Sequence, residues 1–229
     1  MSSLPVIDWS NDFPPSPDPG QIHVWRFFLD SSTPDPAFLS DEEQQRLSRF
    51  SDPGRRRRWL NSRLGLRKIL ADYLQRSPRE LEFSLGARGK PSLAGGELSF
   101  NLSHGSDLAL LAVSSQLALG IDLEPVRGVP RLEAIARRMF SPEEVESLLE
   151  LEEKPRLDHF FRLWTELEAR QKLSGEGLFG KYGNPCQSFT FQPTPGYVAT
   201  LAWPANHETE ILFFKRDSLQ DPAMAVKEP

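Results

Sequence analysis

One order of segments occurs twice along this chain: a leading strand, then helices, then a cluster of short strands. In the first round, residues 21–29 (QIHVWRFFL) carry the aromatic and β-branched content of a strand. Ser40 can cap a helix, and Glu43 three residues on completes a capping box. Residues 55–74 predict a second helix, with Trp59, Leu60, Leu66, Ile69, Leu70, Tyr73 and Leu74 as its apolar stripe. Arg56, Arg63 and Arg67 lie seven and four residues apart and share another face. Short strands are expected at 81–85, 98–102 and 108–114, between Gly, Pro and Ser turns. The second round begins with a strand at 117–124. It continues through a helix start at Ser141-Pro142-Glu143-Glu144 and a longer amphipathic helix at 158–174. It returns to strand-like pieces over 179–214. Such clustering predicts an α+β fold, not a doubly wound sheet.

The domain reading follows. Residues 1–20, with Pro5, Pro14, Pro15, Pro17 and Pro19, form an extended arm. Residues 21–116 and 117–216 form two subdomains of similar make-up, with a seam near 115–125. Residues 217–229 form a polar, flexible tail. No residue-level repeat accompanies this order. The length of 229 residues suits two small subdomains.

Composition removes several function classes. A single cysteine, Cys186, leaves no internal disulfide and no cysteine-based zinc cluster. No run reaches the length of a membrane span, and the start lacks a basic region followed by an apolar one, so a cytoplasmic protein without a membrane partner is expected. A net charge of -5 argues against a general nucleic-acid binder. That total hides a segment, 46–68, with nine basic residues against Asp52 alone, a local charge of +8. Either a polyanion meets this segment or its charges are a solvated helix face.

The strand LALGIDLE alternates cleanly. Leu119, Ile121 and Leu123 share one face; Ala118, Gly120, Asp122 and Glu124 share the other. Two acids on one face repel unless something positive lies between them, and their oxygens suit Mg²⁺ or Mn²⁺. The short Asp-x-Glu pattern equally fits a strand ending at solvent. On the helix at 158–174, Phe161, Trp164, Glu168 and Lys172 fall close to one line. Glu168 and Lys172 are either a third acid with its cation or a surface pair worth about 0.3–0.5 kcal/mol. Residues 88–104 bring Lys90, Ser103 and His104 near Gly/Pro turns, where each can meet a phosphate. There is no Walker loop, no Gly-x-Gly-x-x-Gly and no Gly-x-Ser-x-Gly elbow.

In this order, the pieces resemble the Sfp-type 4′-phosphopantetheinyl transferases. Gly89-Lys90-Pro91 with Phe100-Asn101-Leu102-Ser103-His104 resembles the family's GKP…FNLSH block. Gly120-Ile121-Asp122-Leu123-Glu124 resembles its G(V/I)D(I/L)E strand, and Phe140-Ser141-Pro142-Glu143-Glu144 its FxxxE helix start. Phe160-Phe161-x-x-Trp164-Thr165-x-x-Glu168-Ala169-x-x-Lys172 resembles its long helix, continued by Gly175-x-Gly177-Leu178. The resemblance implies a pseudo-twofold pair of subdomains with coenzyme A in the cleft between them, in a monomer. It implies transfer of the phosphopantetheine arm to a serine of an acyl or peptidyl carrier protein, leaving 3′,5′-ADP, with broad acceptance of carriers. Asp122, Glu124 and Glu168 match the family's Mg²⁺ ligands, and Glu168 is the expected base. Lys172 matches a phosphate contact and Lys90, Ser103 and His104 match nucleotide-phosphate contacts. Arg46 and Arg63 match recurrent basic positions near coenzyme A.

Three positions depart from the pattern. Leu167 replaces a lysine, Leu85 stands where an arginine is common with Arg88 as a possible substitute, and Gly105-Ser106 reverses the usual Ser-Gly order. Two other functions fit parts of the sequence: a Mg²⁺-dependent hydrolase using the same acids on water, and a non-catalytic module binding a polyanion through Arg55, Arg56, Arg57 and Arg58.

Overall fold

The structure is a computed structural model and describes residues 3–30, 35–86, 89–175 and 185–219. Along the chain run β1 (Gln21–Phe28), α1 (Asp41–Ser48), α2 (Pro53–Leu74), β2 (Phe83–Leu85), β3 (Pro91–Leu93), β4 (Ser99–Gly105) and β5 (Leu108–Ser114). Then follow β6 (Gly120–Pro125), α3 (Leu132–Met139), α4 (Pro142–Leu149), α5 (Glu153–Ser174), β7 (Cys186–Phe191), β8 (Tyr197–Pro204) and β9 (Glu210–Lys215). Both capping boxes form as read, at Ser40 with Glu43 and at Ser141 with Glu144. Helix α3 carried no such signal because its cap, Arg131, is left-handed at φ 59° and makes no side-chain cap bond.

The larger sheet has the order β4-β5-β1-β9 and the smaller β6-β8-β7; β2 and β3 make a separate hairpin. All pairings are antiparallel except β1 with β9. Strand β1 alternates between two cores. Trp25 and Phe27 join Leu66, Ile69, Leu70 and Tyr73 of α2. Ile22 and Val24 face Leu119, Ile121, Leu123, Ala199 and Leu201 of the second half. The molecule is thus layered helix, sheet, sheet, helix, with α5 closing the far side through Ala169 and Leu173 against Ala202. Every residue of β5 is buried, as expected for a strand covered on both faces.

Two features differ from the sequence reading. Strand β9, late in the chain, lies parallel to β1 and completes the first sheet, so the two halves share a sheet. The expected fraying from 217 is wrong for residues 217–219: Leu219 is buried, its carbonyl accepts from Lys68 Nζ at 2.5 Å, and Arg216 pairs with Asp72 at 2.6 Å. Residues 220–229 lie outside the described residues. Residues 3–20 hold only isolated bridges and turns. Val6 bridges Gln192, Ser10 bridges Phe214, and Phe13 packs on Trp25 and Tyr73. Among the described residues, no helix is long and apolar enough to cross a membrane.

Candidate active site

The alternation of β6 sends Leu119, Ile121 and Leu123 into the inter-sheet core. Gly120, Asp122 and Glu124 therefore face α5. At Gly120 the approach is so close that a Cβ would stand 1.9 Å from the Ala169 carbonyl oxygen. Glycine is required there by space, not by its dihedral angles. This contact brings Asp122 beside the last turn of α5.

Asp122 is buried. Its Oδ1 accepts from Lys172 Nζ at 2.5 Å and from Ser103 Oγ at 3.1 Å, and Lys172 Nζ also donates to Ser103 Oγ at 3.1 Å. Its Oδ2 is buried with no protein partner. One turn back on α5, Glu168 Oε2 lies 3.8 Å from Lys172 Nζ. Glu124, half-buried, has Arg127 at 3.5 Å. Burial, then the Asp122 charge, raises the Glu124 carboxyl. The same two causes push Glu168 up to about 7, against the pull of Lys172. Three acids therefore share a partly dehydrated space with one ammonium.

Strand β4 ties this space to a second one. Asn101 Oδ1 accepts from the Ile121 N–H at 2.8 Å, so the edge of β4 meets the edge of β6 through a side chain. Ser103 then points at Asp122, and the next residue, His104, lines a cleft of about 930 Å³ with Arg46, Trp59, Arg63, Phe83 and Leu102. Burial, then the nearby Lys172 charge, lowers the His104 imidazole. Arg46 lies over the Trp59 ring at 5.6 Å. Arg63 and Arg67 both reach Glu43 at 2.6 Å. Burial opposes the Glu43 charge, but the two guanidiniums overcome it and hold the carboxyl below its usual range. The sequence pointed to Glu43 only as a capping residue. Its Oε2 does accept from the Ser40 N–H, and the same carboxylate also orients two arginines.

The structure thus brings Asp122, Glu124, Glu168, Lys172 and Ser103 together, with Arg46, Arg63 and His104 along the adjoining cleft. It places Lys90 elsewhere. The Lys90 ammonium donates to the carbonyls of Leu119, Lys172 and Leu173 at 2.9, 2.6 and 3.5 Å, so here it meets backbone oxygens and not an open phosphate site. The basic segment is also partly self-neutralised: Arg57 and Arg58 converge on Asp30 at 3.1 Å, outside the cleft lining. Leu85 is exposed at the cleft. The reversed order at the β4–β5 turn is accommodated because Ser106 takes the left-handed position at φ 54°, while a Cβ on Gly105 would come within 3.0 Å of the Leu123 carbonyl. Arg88, Gly177 and Leu178 lie outside the described residues.

Comparison with known proteins defines the class. Residues 118–226 match the model of the 4′-phosphopantetheinyl transferase superfamily, and residues 28–116 match that of the 4′-phosphopantetheinyl transferase N-terminal domain. The chain is 42% identical over 166 residues to the 4′-phosphopantetheinyl transferase HetI of Nostoc sp., covering 69% of this chain and 70% of that one. It is 31% identical over 182 residues to the 4′-phosphopantetheinyl transferase Sfp of Bacillus subtilis, covering 74% and 78%. It is 30% identical over 190 residues to the L-aminoadipate-semialdehyde dehydrogenase-phosphopantetheinyl transferase of Rattus norvegicus, covering 75% and 60%. The chain belongs to the 4′-phosphopantetheinyl transferase superfamily.

Proposed function

We propose that this enzyme moves the 4′-phosphopantetheine arm of coenzyme A to a serine of an acyl or peptidyl carrier protein, with the reacting pyrophosphate held between α5 and β6. The observation that carries the reading is the Asp122–Lys172–Ser103 network beside the cleft that contains His104. The nucleotide end of coenzyme A would lie in that cleft near Arg46 and Arg63. The two halves would be related by a pseudo-twofold axis. Supporting this, the orders β4-β5-β1 and β7-β8-β6 correspond strand for strand, and α2 and α5 are each 22 residues long.

A divalent cation fits the donor chemistry. The buried, unpartnered Oδ2 of Asp122 beside the carboxyls of Glu124 and Glu168, both raised by burial and by the Asp122 charge, is a donor set that suits a hard divalent cation. Among the described residues no three His, Cys, Asp or Glu side chains already stand where they could hold a metal ion together, and Lys172 pairs with Asp122 Oδ1. Asp122, Glu124 and Glu168 would hold Mg²⁺ or Mn²⁺, which when bound neutralises pyrophosphate oxygens.

In the step itself, the serine oxygen forms a bond to the phosphorus bearing the pantetheine arm as the bond to the 3′,5′-ADP oxygen breaks in line. Glu168, one turn from Lys172 on α5, takes the hydroxyl proton directly or through water. Lys172 and His104 stabilise charge on the departing 3′,5′-ADP. The test is 3′,5′-ADP release with and without apo carrier. Release that requires carrier and falls at least a hundredfold in Asp122→Asn is expected from losing a charged contact at the reacting group. Carrier-independent release would instead assign a hydrolase.

A further inference from the structure

Lys90 lies at the end of the turn between β2 and β3, where Gly86 N–H donates to the Lys90 carbonyl at 2.9 Å. Its side chain leaves the first half of the chain and ends among three carbonyls of the second. Lys172 and Leu173 belong to the last turn of α5, where carbonyl groups have no partner within the helix. Leu119 is the residue just before β6. A lysine ammonium has three protons, and these three acceptors use them all. A cation at a helix C-terminus is further favoured by the helix dipole. Burial lowers the Lys90 pKa, as expected for an ammonium withdrawn from water.

The two backbone segments that Lys90 joins carry the two ends of the central ion pair. The carbonyl of Lys172 accepts from Lys90 while the Lys172 side chain holds Asp122 Oδ1 at 2.5 Å. Leu119 stands three residues before Asp122, at the entry to β6. A phosphate contact would require Lys90 to abandon three carbonyls in a half-buried setting, leaving each without its donor. We propose that Lys90 is a positioning residue that clasps the end of α5 to the start of β6 and so fixes Lys172 against Asp122. It acts on the reaction through Lys172 and does not hold coenzyme A. The inference rests on the site proposed above.

Lys90→Met keeps the aliphatic stem and removes every donor. It should lower kcat about tenfold or more while leaving KM for coenzyme A within about threefold, since small displacements at a reacting centre act on rate. The loss should be the same with 3′-dephospho-coenzyme A, and Lys90→Arg should recover much of it. In a Lys172→Ala background the Lys90→Met effect on kcat should nearly vanish, because coupled residues are not additive. If Lys90→Met does not fold, Lys90→Gln carries the same cycle. The proposal is overturned if KM rises with kcat unchanged and the rise disappears with 3′-dephospho-coenzyme A, or if only the melting temperature falls. If Lys172→Ala and Asp122→Asn are themselves silent, the reading of the site fails; if they abolish turnover and Lys90→Met is silent, only the clasp fails.

Discussion

Gly120 lies where β6 passes against α5, and a Cβ there would stand 1.9 Å from the Ala169 carbonyl oxygen and 2.5 Å from Leu173 N. Both are backbone atoms, and real Cβ atoms essentially never come within 3.0 Å of a neighbour, so nothing flexible can yield. In Gly120→Ala the helix must retreat by about 1 Å, as overpacked cores do, at a cost of about 1–3 kcal/mol. A domain with a typical stability of about 5–15 kcal/mol survives that. The active site does not, because α5 carries Lys172 and Glu168 away from Asp122. The 2.5 Å contact of Lys172 with Asp122 leaves hydrogen-bonding range. A displacement of about 1 Å at a reacting centre costs about a hundredfold in rate. The assay is kcat for holo-carrier formation beside a thermal melt. Gly128→Ala serves as control, since nothing lies within 4 Å of its Cβ. A Gly120→Ala enzyme with a lowered melting temperature but kcat within threefold of wild type would refute the reasoning.

Other consequences can be measured separately. His23 is buried, with Nδ1 at 2.8 Å from the Tyr73 hydroxyl and Nε2 unpartnered, and burial lowers its pKa from 6.5 to about 4. The unfolded chain therefore binds the extra proton first, and stability falls as pH drops from 6.5 towards 4, by about 3 kcal/mol in all. In denaturant titrations at several pH values His23→Gln should flatten that part of the curve; an unchanged slope would contradict the linkage. Glu43→Ala strands the buried Arg67 guanidinium and should cost about 3–5 kcal/mol, read as a lower midpoint in urea. Arg55 and Arg56 are exposed and line no part of the cleft, so Arg55→Ala with Arg56→Ala should leave KM for coenzyme A unchanged. A fivefold rise would return them to the nucleotide site.

Much of this architecture was readable where local chemistry and tertiary demand agree. The face of β6 that carries Asp122 and Glu124 followed from alternation alone, and the capping boxes located α1 and α4. What escaped depended on partners distant in sequence. Nothing in the residues of β9 says that it pairs with β1 some 190 positions earlier. Nothing near Asp217 says that Lys68 fastens the carbonyl of Leu219. Lys90 reads as a phosphate ligand because a turn lysine beside glycine usually reaches solvent; only the packing of α5 against β6 puts three carbonyls in its path. The +8 of segment 46–68 overstated its free charge, since Asp30 and Glu43 lie outside the window, pair with four of its arginines and together offset two of its charges.

Mass spectrometry of an apo carrier protein after incubation with this enzyme, coenzyme A and Mg²⁺ tests the central claim most directly. The account predicts one added phosphopantetheine on a single serine, lost when that serine is replaced by alanine and lost with the Asp122→Asn enzyme. A carrier whose mass is unchanged across carriers of several pathways, or one modified equally well by Asp122→Asn, would contradict it.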